Sequence, residues 1–265
     1  MAEARWLAGE GVRELIVVAQ DPTAYGEDWG QPGAICALLD ALDAVEGIRW
    51  IRILYAYPER ITDDFIAAMQ RNEKVVPYLD LPIQHCDDRV LAAMGRRGSR
   101  ADIEDAIRRL RAAIPDLTLR TTLIAGFPGE TEAEYAELCD FVRTVRFDRL
   151  GCFAYSPEEN TPAAVMEGQL DEETKQKRAD HIMELQADIS AAAMAAKVGR
   201  TLECICDGVD DETGMYLLRT AADCPEIDGN VLTPADTPLV PGEFYRVTIT
   251  DSDTYDLYGY VEGEE

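Results

Sequence analysis

Polar side chains that could bind a ligand follow the apolar runs of this 265-residue chain, at the points where those runs end. Gln20 and Asp21 follow the first run, Gln84 and His85 follow the third, and the turn from Gly126 to Glu130 follows the fourth. Because ligands gather at the carboxyl ends of strands in a parallel barrel, these groups are predicted to share one rim. Any one of them could instead shape a turn, but together they indicate a small-molecule site.

Arg120 lies inside the fourth apolar run. A buried guanidinium is costly unless it meets an anion, so its partner is either a ligand carboxylate or a structural Asp or Glu. The turn from Gly126 to Glu130 contains glycines that would let a ligand approach the backbone, and the helix after it offers free N–H groups. Tight turns of this kind also use glycine for purely steric reasons.

Seven cysteines are scattered at positions 36, 86, 139, 152, 204, 206 and 224 and match no zinc-site spacing. We therefore expect buried structural thiols, no metal ligands and no disulfide framework, as in a reducing cytoplasm. The sequence has no apolar run of about 18 residues and no signal-peptide pattern at its start, so no membrane span is expected.

Five nearly continuous apolar runs predict parallel strands buried on both faces, at residues 15–19, 50–57, 78–83, 119–125 and 150–155. Helix-start signals lie between the runs at Thr62, at Ser99 with Asp102, and at Thr131 with Glu134. This alternation is typical of an α/β fold with a parallel sheet or barrel.

The chain opens on a predicted helix at about residues 2–9, although an α/β barrel normally begins with a strand. Either an element is missing before it or an extra helix has been added. A long helix without Pro or Gly is predicted over residues 171–197, and the short runs beyond it predict a small OB-like barrel. The predicted domains are residues 1–170, the connecting helix 171–197, and residues 198–265.

The formal net charge is −26, from 25 basic and 51 acidic residues. Such a surface repels nucleic-acid phosphate and favours basic partners. The alternative is that the acidity only keeps the protein soluble.

Several long stretches are similar to one family, the radical S-adenosylmethionine (SAM) methylthiotransferases. They are Glu14–Asp21 (ELIVVAQD), Tyr78–Cys86 (YLDLPIQHC), Arg120–Thr131 (RTTLIAGFPGET) and Phe153–Pro162 (FAYSPEENTP). Pro225–Gly229 (PEIDG) resembles the TRAM domain of the RimO branch. The resemblance covers essentially the whole chain and implies an incomplete radical-SAM barrel followed by a TRAM domain.

A RimO-type enzyme adds a methylthio group to the β-carbon of an aspartate in small-subunit ribosomal protein S-twelve (uS12). The resemblance implies SAM and two 4Fe-4S clusters as cofactors. Because the sequence contains no CxxxCxxC motif, the cluster ligands are absent and no catalytic residue is assigned. The chain is therefore predicted to be N-terminally truncated, to lack its first barrel strand, and to be inactive alone. The alternatives are a MiaB-like tRNA adenosine methylthiotransferase and a non-catalytic binding module.

The resemblance also suggests roles for individual residues. Cofactor contacts fall on Gln20, Asp21, Gln84, Arg120, Gly126, Phe127 and Glu130, and substrate contacts on Tyr155 and Arg97. Residues 198–265 contain three arginines and sixteen Asp or Glu residues, a net charge of −13. Because an RNA-binding barrel should be basic, uS12 is the predicted partner and tRNA is less favoured.

Overall fold

The computed structural model describes residues 1–234 and 238–263. Its larger part is a five-stranded parallel sheet in which the strands lie side by side in chain order. The strands are β1 (Glu14–Val17), β2 (Trp50–Ile53), β3 (Val75–Asp80), β4 (Thr118–Ala125) and β5 (Arg149–Ala154). This confirms the predicted parallel α/β architecture. The inner strands β2 and β3 are buried on both faces, whereas β1 is partly exposed along its length.

Seven helices connect and cover these strands within the described residues: α1 (Ala2–Gly9), α2 (Ala34–Asp43), α3 (Asp63–Arg71), α4 (Asp88–Ala93), α5 (Arg100–Ala113), α6 (Glu132–Val145) and α7 (Glu172–Ala195). The predicted helix starts are confirmed. Thr62 caps α3 by accepting a hydrogen bond from the Phe65 N–H, and Ser99 and Thr131 open α5 and α6 with capping boxes.

A closed barrel of five strands, called the small barrel below, follows α7. It contains β6 (Thr201–Val209), β7 (Tyr216–Thr220), β8 (Val231–Thr233), β9 (Phe244–Ser252) and β10 (Leu257–Val261) in the order β10-β8-β7-β6-β9. The predicted all-β barrel is confirmed, but the sequence did not indicate β8. That strand is three residues long, too short for an alternating pattern to appear.

Helix α7 packs against the large sheet, since Ile182 and Ile189 are buried in the core of that sheet. Near its C-terminal end Met194 is buried in the core of the small barrel instead. The division into residues 1–170, 171–197 and 198–265 stays a prediction. Among the described residues, no helix is long and apolar enough to cross a membrane.

One face of the large sheet is turned away from the helices, and its two halves differ. We call the half at the amino ends of the strands the lower half, and the half at their carboxyl ends the upper half. The small barrel packs on the lower half, where Trp50 and Tyr78 form an apolar cluster with Ile205, Cys224 and Phe244. The small barrel therefore closes this end of the sheet.

Ion pairs surround that apolar cluster. Arg52 donates from Nε to Glu14 Oε1 at 2.8 Å and from Nη1 to the carbonyl of Ala221 at 2.9 Å. The other oxygen of Glu14 accepts from Arg219 Nη2 of the small barrel at 2.9 Å. Arg149 of β5 pairs with the buried Asp223. Each of these guanidinium groups thus has a carboxylate partner, as buried charges require, although Arg52 Nη2 and Arg149 Nε form no hydrogen bond with a described residue.

Candidate functional site

A cavity of about 530 Å³ occupies the upper half, at the carboxyl ends of β1 to β4. Its volume lies within the range of about 300–1,000 Å³ that is usual for small-molecule sites. We call it the upper cavity. It is lined by Val18, Ala19, Gln20, Tyr55, Tyr57, Pro82, Gln84, Arg96 and Thr122.

Two side-chain amides in this lining are available to a ligand. The carboxamides of Gln20 and Gln84 form no hydrogen bond with any described residue, whereas most polar side chains at the junction do. Arg96 is the cation of the lining; its guanidinium lies 4.8 Å from the centre of the Tyr57 ring and donates to the carbonyl of Pro82 at 2.8 Å. The cavity therefore combines aromatic surface with uncharged hydrogen-bonding groups and one positive charge.

Two residues of the lining have strained backbones. Tyr55 has φ 64° and Gln84 has φ 68°, in the left-handed region that non-glycine residues rarely adopt. The His85 N–H donates to the Ile83 carbonyl at 2.9 Å, so Gln84 is the centre of a γ-turn of the rare positive-φ type. Such strain costs on the order of 1–3 kcal/mol and often marks ligand sites.

A buried polar cluster forms around His85, the residue that follows Gln84. The His85 ring is fully buried and its Nδ1 accepts from the Asp87 N–H at 3.0 Å, so the proton of a neutral ring is on Nε2. That Nε2 lies 3.5 Å from Glu130 Oε2. The same oxygen of Glu130 accepts from the Gly126 N–H at 3.0 Å, while Oε1 pairs with Arg178 at 2.6 Å.

Glu130 was predicted to contact the cofactor, but its side chain is fully buried and lies outside the cavity lining. Gly126, predicted beside it, has φ 76°, and a Cβ added there would lie 2.6 Å from Lys175 Cγ. The glycine is therefore required by close packing of α7. Gly126 and Glu130 thus stabilise the turn between β4 and α6. A steric role for glycine in this turn was one of the two alternatives that the sequence left open.

Arg120 lies deeper on the same face and has a protein partner. Its Nη1 donates to Asp80 Oδ1 at 2.9 Å, and its side chain is 15% exposed. Of the two partners that the sequence allowed for Arg120, a ligand carboxylate or a protein carboxylate, the structure shows the protein carboxylate. Burial raises the pKa of the Asp80 carboxyl, and the charge of Arg120 opposes that shift.

The remaining predicted residues lie around the rim. Asp21 forms an ion pair with Arg60 at 2.8 Å and accepts from Thr23, so its carboxylate is already engaged. Phe127 and Tyr155 pack edge-to-face with ring centres 5.2 Å apart, outside the cavity lining. Arg97 is exposed and also outside the lining.

Of the nine predicted positions, Gln20 and Gln84 line the cavity together. Sequence reasoning missed Tyr55 and Arg96. Arg96 had a signal, since it directly precedes Arg97, which was predicted to contact the substrate. Tyr55 had none, because its backbone conformation depends on the tertiary contact between its N–H and Asp80.

The cysteines do not converge anywhere in the described residues. Within residues 1–234 and 238–263, no group of three or more His, Cys, Asp or Glu side chains is placed to hold a metal. Burial raises the pKa of Cys86 and of Cys152 to about 12, and that of Cys224 to about 11. These raised pKa values are those of buried structural thiols, as the sequence predicts.

Comparison with known proteins gave matches for both parts of the chain. Residues 1–142 match the Radical SAM superfamily, and residues 198–261 match the TRAM domain. Ribosomal protein uS12 methylthiotransferase RimO of Acetivibrio thermocellus is 44% identical over all of this chain, which covers 58% of the relative. The RimO of Pelotomaculum thermopropionicum is 47% identical over 98% of the chain, which covers 59% of that relative. The chain thus spans somewhat more than half the length of these relatives.

Among solved structures, coproporphyrinogen III oxidase (HemN) from Escherichia coli, described as a radical SAM enzyme, resembles this fold with a TM-score of 0.58. The identity is 18%, and the match covers 71% of this chain and 43% of that one. At this identity the likeness concerns the fold alone.

Proposed function

This chain belongs to the Radical SAM superfamily, and we propose that its upper cavity binds SAM. We propose further that the chain is part of a uS12 methylthiotransferase of the RimO type. The observation that carries the proposal is the cavity itself, which lies at the carboxyl edge of the superfamily's sheet with two unengaged carboxamides. Identity of 44–47% to RimO proteins across both parts of the chain supports the substrate class.

The lining fits the chemistry of SAM. Tyr55 and Tyr57 offer ring faces for an adenine or a sulfonium, which aromatic surfaces attract. Arg96 would pair with the carboxylate of the methionyl group of SAM, a role that the sequence had suggested for Arg120. The carboxamide oxygens of Gln20 and Gln84 would accept hydrogen bonds from the ammonium of the same methionyl group. When bound, SAM supplies a methyl group and the precursor of a carbon radical.

An iron–sulfur cluster does not fit the described residues. Radical SAM enzymes hold such a cluster on several thiolates, and among residues 1–234 and 238–263 no three side chains that could ligate a metal come together. The number of clusters in the whole enzyme stays a prediction. Iron measured after anaerobic reconstitution should be well below one cluster per chain.

The small barrel is proposed to bind the basic ribosomal protein. It has a net charge of −13 over residues 198–265, and two of its three arginines are engaged within the protein. Arg219 is buried against Glu14 and Asp207, and Arg246 pairs with Glu262. This surface therefore attracts cationic protein segments and repels phosphate, which disfavours the MiaB-like tRNA alternative. A ribosomal substrate also agrees with the reducing cytoplasm predicted from the cysteines.

Titration calorimetry with SAM tests the cofactor proposal. The wild-type chain should bind SAM, and Gln20→Ala should weaken binding without changing the thermal midpoint, because this exposed side chain bonds to no described residue. Gln31→Ala is the matched control, since Gln31 is exposed but outside the cavity. A wild-type chain that binds uS12 but no SAM would favour the non-catalytic binding module.

Equilibrium binding to purified uS12 and to tRNA at several salt concentrations tests the partner. We expect uS12 to bind more tightly and Asp211→Asn with Glu212→Gln to weaken it, because both carboxylates are exposed on the small barrel. Glu3→Gln on α1 with Glu10→Gln directly after it removes equal charge elsewhere and should have little effect. Tighter binding of tRNA would overturn the uS12 assignment.

A further inference from the structure

Asp228, in the loop before β8, connects the small barrel to the large sheet. Its side chain is 4% exposed. One oxygen, Oδ2, accepts from Tyr78 Oη at 2.7 Å and from the Cys224 N–H at 2.9 Å. The other oxygen, Oδ1, faces the Nε atoms of Arg120 at 3.8 Å and of Arg149 at 4.0 Å. The carboxylate is thereby fixed on one side and presented to Arg120 on the other.

The contacts continue from Arg120 into the wall of the upper cavity. Arg120 Nη1 donates to Asp80 Oδ1 at 2.9 Å, and the second oxygen of Asp80 accepts from the Tyr55 N–H at 3.1 Å. Asp80 is 1% exposed, so solvent does not replace either partner. Tyr55 is one of the two strained residues of the cavity. The backbone conformation of Tyr55 therefore depends on Oδ2 of Asp80, the oxygen to which Arg120 does not donate.

We infer that Asp228 is a positioning residue for the upper cavity, acting through Arg120 and Asp80 on Tyr55. An arginine beside a lone carboxylate favours the bidentate arrangement, in which it uses both oxygens. Asp228 attracts the Nε edge of Arg120, so that Arg120 donates to Asp80 from one nitrogen, Nη1, and not from two. Without Asp228, Arg120 turns onto both oxygens of Asp80 and competes with the Tyr55 N–H. The inference rests on the proposed SAM site, and it makes a small-barrel residue part of that site's support.

The competing explanation is that Asp228 only helps to hold the small barrel in place. Asp223 provides the control, since it lies in the same segment, is 2% exposed, and pairs with Arg149 across the junction. It contacts neither Arg120 nor Asp80 among the described residues. Asp223→Asn therefore weakens the junction through Arg149 but removes no direct contact of Arg120, Asp80 or Tyr55.

Amide hydrogen exchange by NMR tests the inference without any ligand. Asp228→Asn should speed exchange at the Tyr55 amide by roughly two- to ten-fold, the change expected when one hydrogen bond is lost. Asp223→Asn should leave Tyr55 unchanged although it lowers the thermal midpoint. Unchanged exchange at Tyr55 in Asp228→Asn, or equal acceleration in both variants, would overturn the inference.

SAM titration of the same proteins separates the two proposals. We expect Asp228→Asn to raise the Kd for SAM by roughly two- to ten-fold and Asp223→Asn to leave it unchanged. If wild type binds SAM and Asp228→Asn binds it equally well, the positioning role is wrong and the cofactor site stands. If wild type does not bind SAM, the cofactor site is wrong, and exchange at Tyr55 alone decides whether Asp228 supports the cavity.

Discussion

The lower and upper halves of one face of the large sheet are built on the same strands but differ in their polar side chains, which are paired with protein partners in the lower half and largely unpaired in the upper half. In the lower half, Arg52 and Arg149 find carboxylate partners, Arg149 across the junction in the small barrel. In the upper half, the carboxamides of Gln20 and Gln84 bond to no described residue, and Tyr55 and Gln84 are strained. Paired charges hold two parts of a protein together, whereas unengaged neutral groups on a strained backbone leave a surface ready for a ligand.

The largest effect is expected in the lower half. Arg219→Ala should lower the free energy of unfolding by about 3–5 kcal/mol, because it leaves the buried carboxylate of Glu14 with one partner fewer. Denaturant unfolding measures this. Arg246→Ala removes an exposed pair of the same barrel and should cost less than about 1 kcal/mol. Equal costs for the two variants would mean that the lower half is not held by its buried charges.

The boundary of the upper cavity is tested at Gly126. Gly126→Ala should lower the free energy of unfolding by about 2–4 kcal/mol, because it adds a Cβ against Lys175 and strains a positive φ. Gly11→Ala isolates the backbone strain, since φ is 91° there and no atom lies within 4 Å of the new Cβ. A stable Gly126→Ala protein with impaired SAM binding would place this glycine in the ligand site after all.

In the upper half, one substitution should have opposite effects on the stability of the protein and on its affinity for SAM. Gln84→Gly should raise the free energy of unfolding by about 1 kcal/mol, since glycine accepts φ 68° readily, and should weaken SAM binding by loss of the carboxamide. Both are measured on one protein, by denaturant unfolding and by calorimetry. Asn160→Gly, at φ 65° outside the cavity, is the control and should leave SAM binding unchanged. A loss of stability in Gln84→Gly would show that the γ-turn is not strained.

The smallest effect concerns a charge pair outside both halves. Hydrogen bonding by Arg89, with the cap of Thr131, lowers the pKa of Glu134 from 4.5 to about 2. Its stabilisation is present above pH 4.5 and is lost as pH falls toward 2. The difference in unfolding free energy between wild type and Glu134→Gln should be under about 1 kcal/mol at pH 6 and shrink below pH 4.5. A difference that grows on acidification would contradict this assignment.

Local signals in the sequence predicted the fold well. The apolar runs, the capping residues Thr62, Ser99 and Thr131, and the long α7 depend on neighbours within a few residues, so their pattern is visible in the chain. The short β8 has no such pattern. Its pairing with β7 and β10 comes from the closed barrel.

The site was less predictable because its decisive contacts are distant in sequence. Arg120 could meet a ligand or a protein carboxylate, and only the sheet register places Asp80 beside it. Glu130 occupies the expected turn but is drawn into a buried cluster with His85 and Arg178. The strain at Tyr55 likewise follows from its bond to Asp80, for which the sequence carries no sign.

The placement of Trp50 gives this protein an optical reporter. Of its three tryptophans, Trp6 and Trp29 are 62% and 59% exposed, while Trp50 is 6% exposed and lies edge-to-face with Phe244 of the small barrel, 4.8 Å between ring centres. Replacement of the two exposed tryptophans by phenylalanine would leave Trp50, at the junction, as the single tryptophan. Its emission would shift to longer wavelength when the small barrel separates, so partial undocking becomes distinguishable in solution from global unfolding.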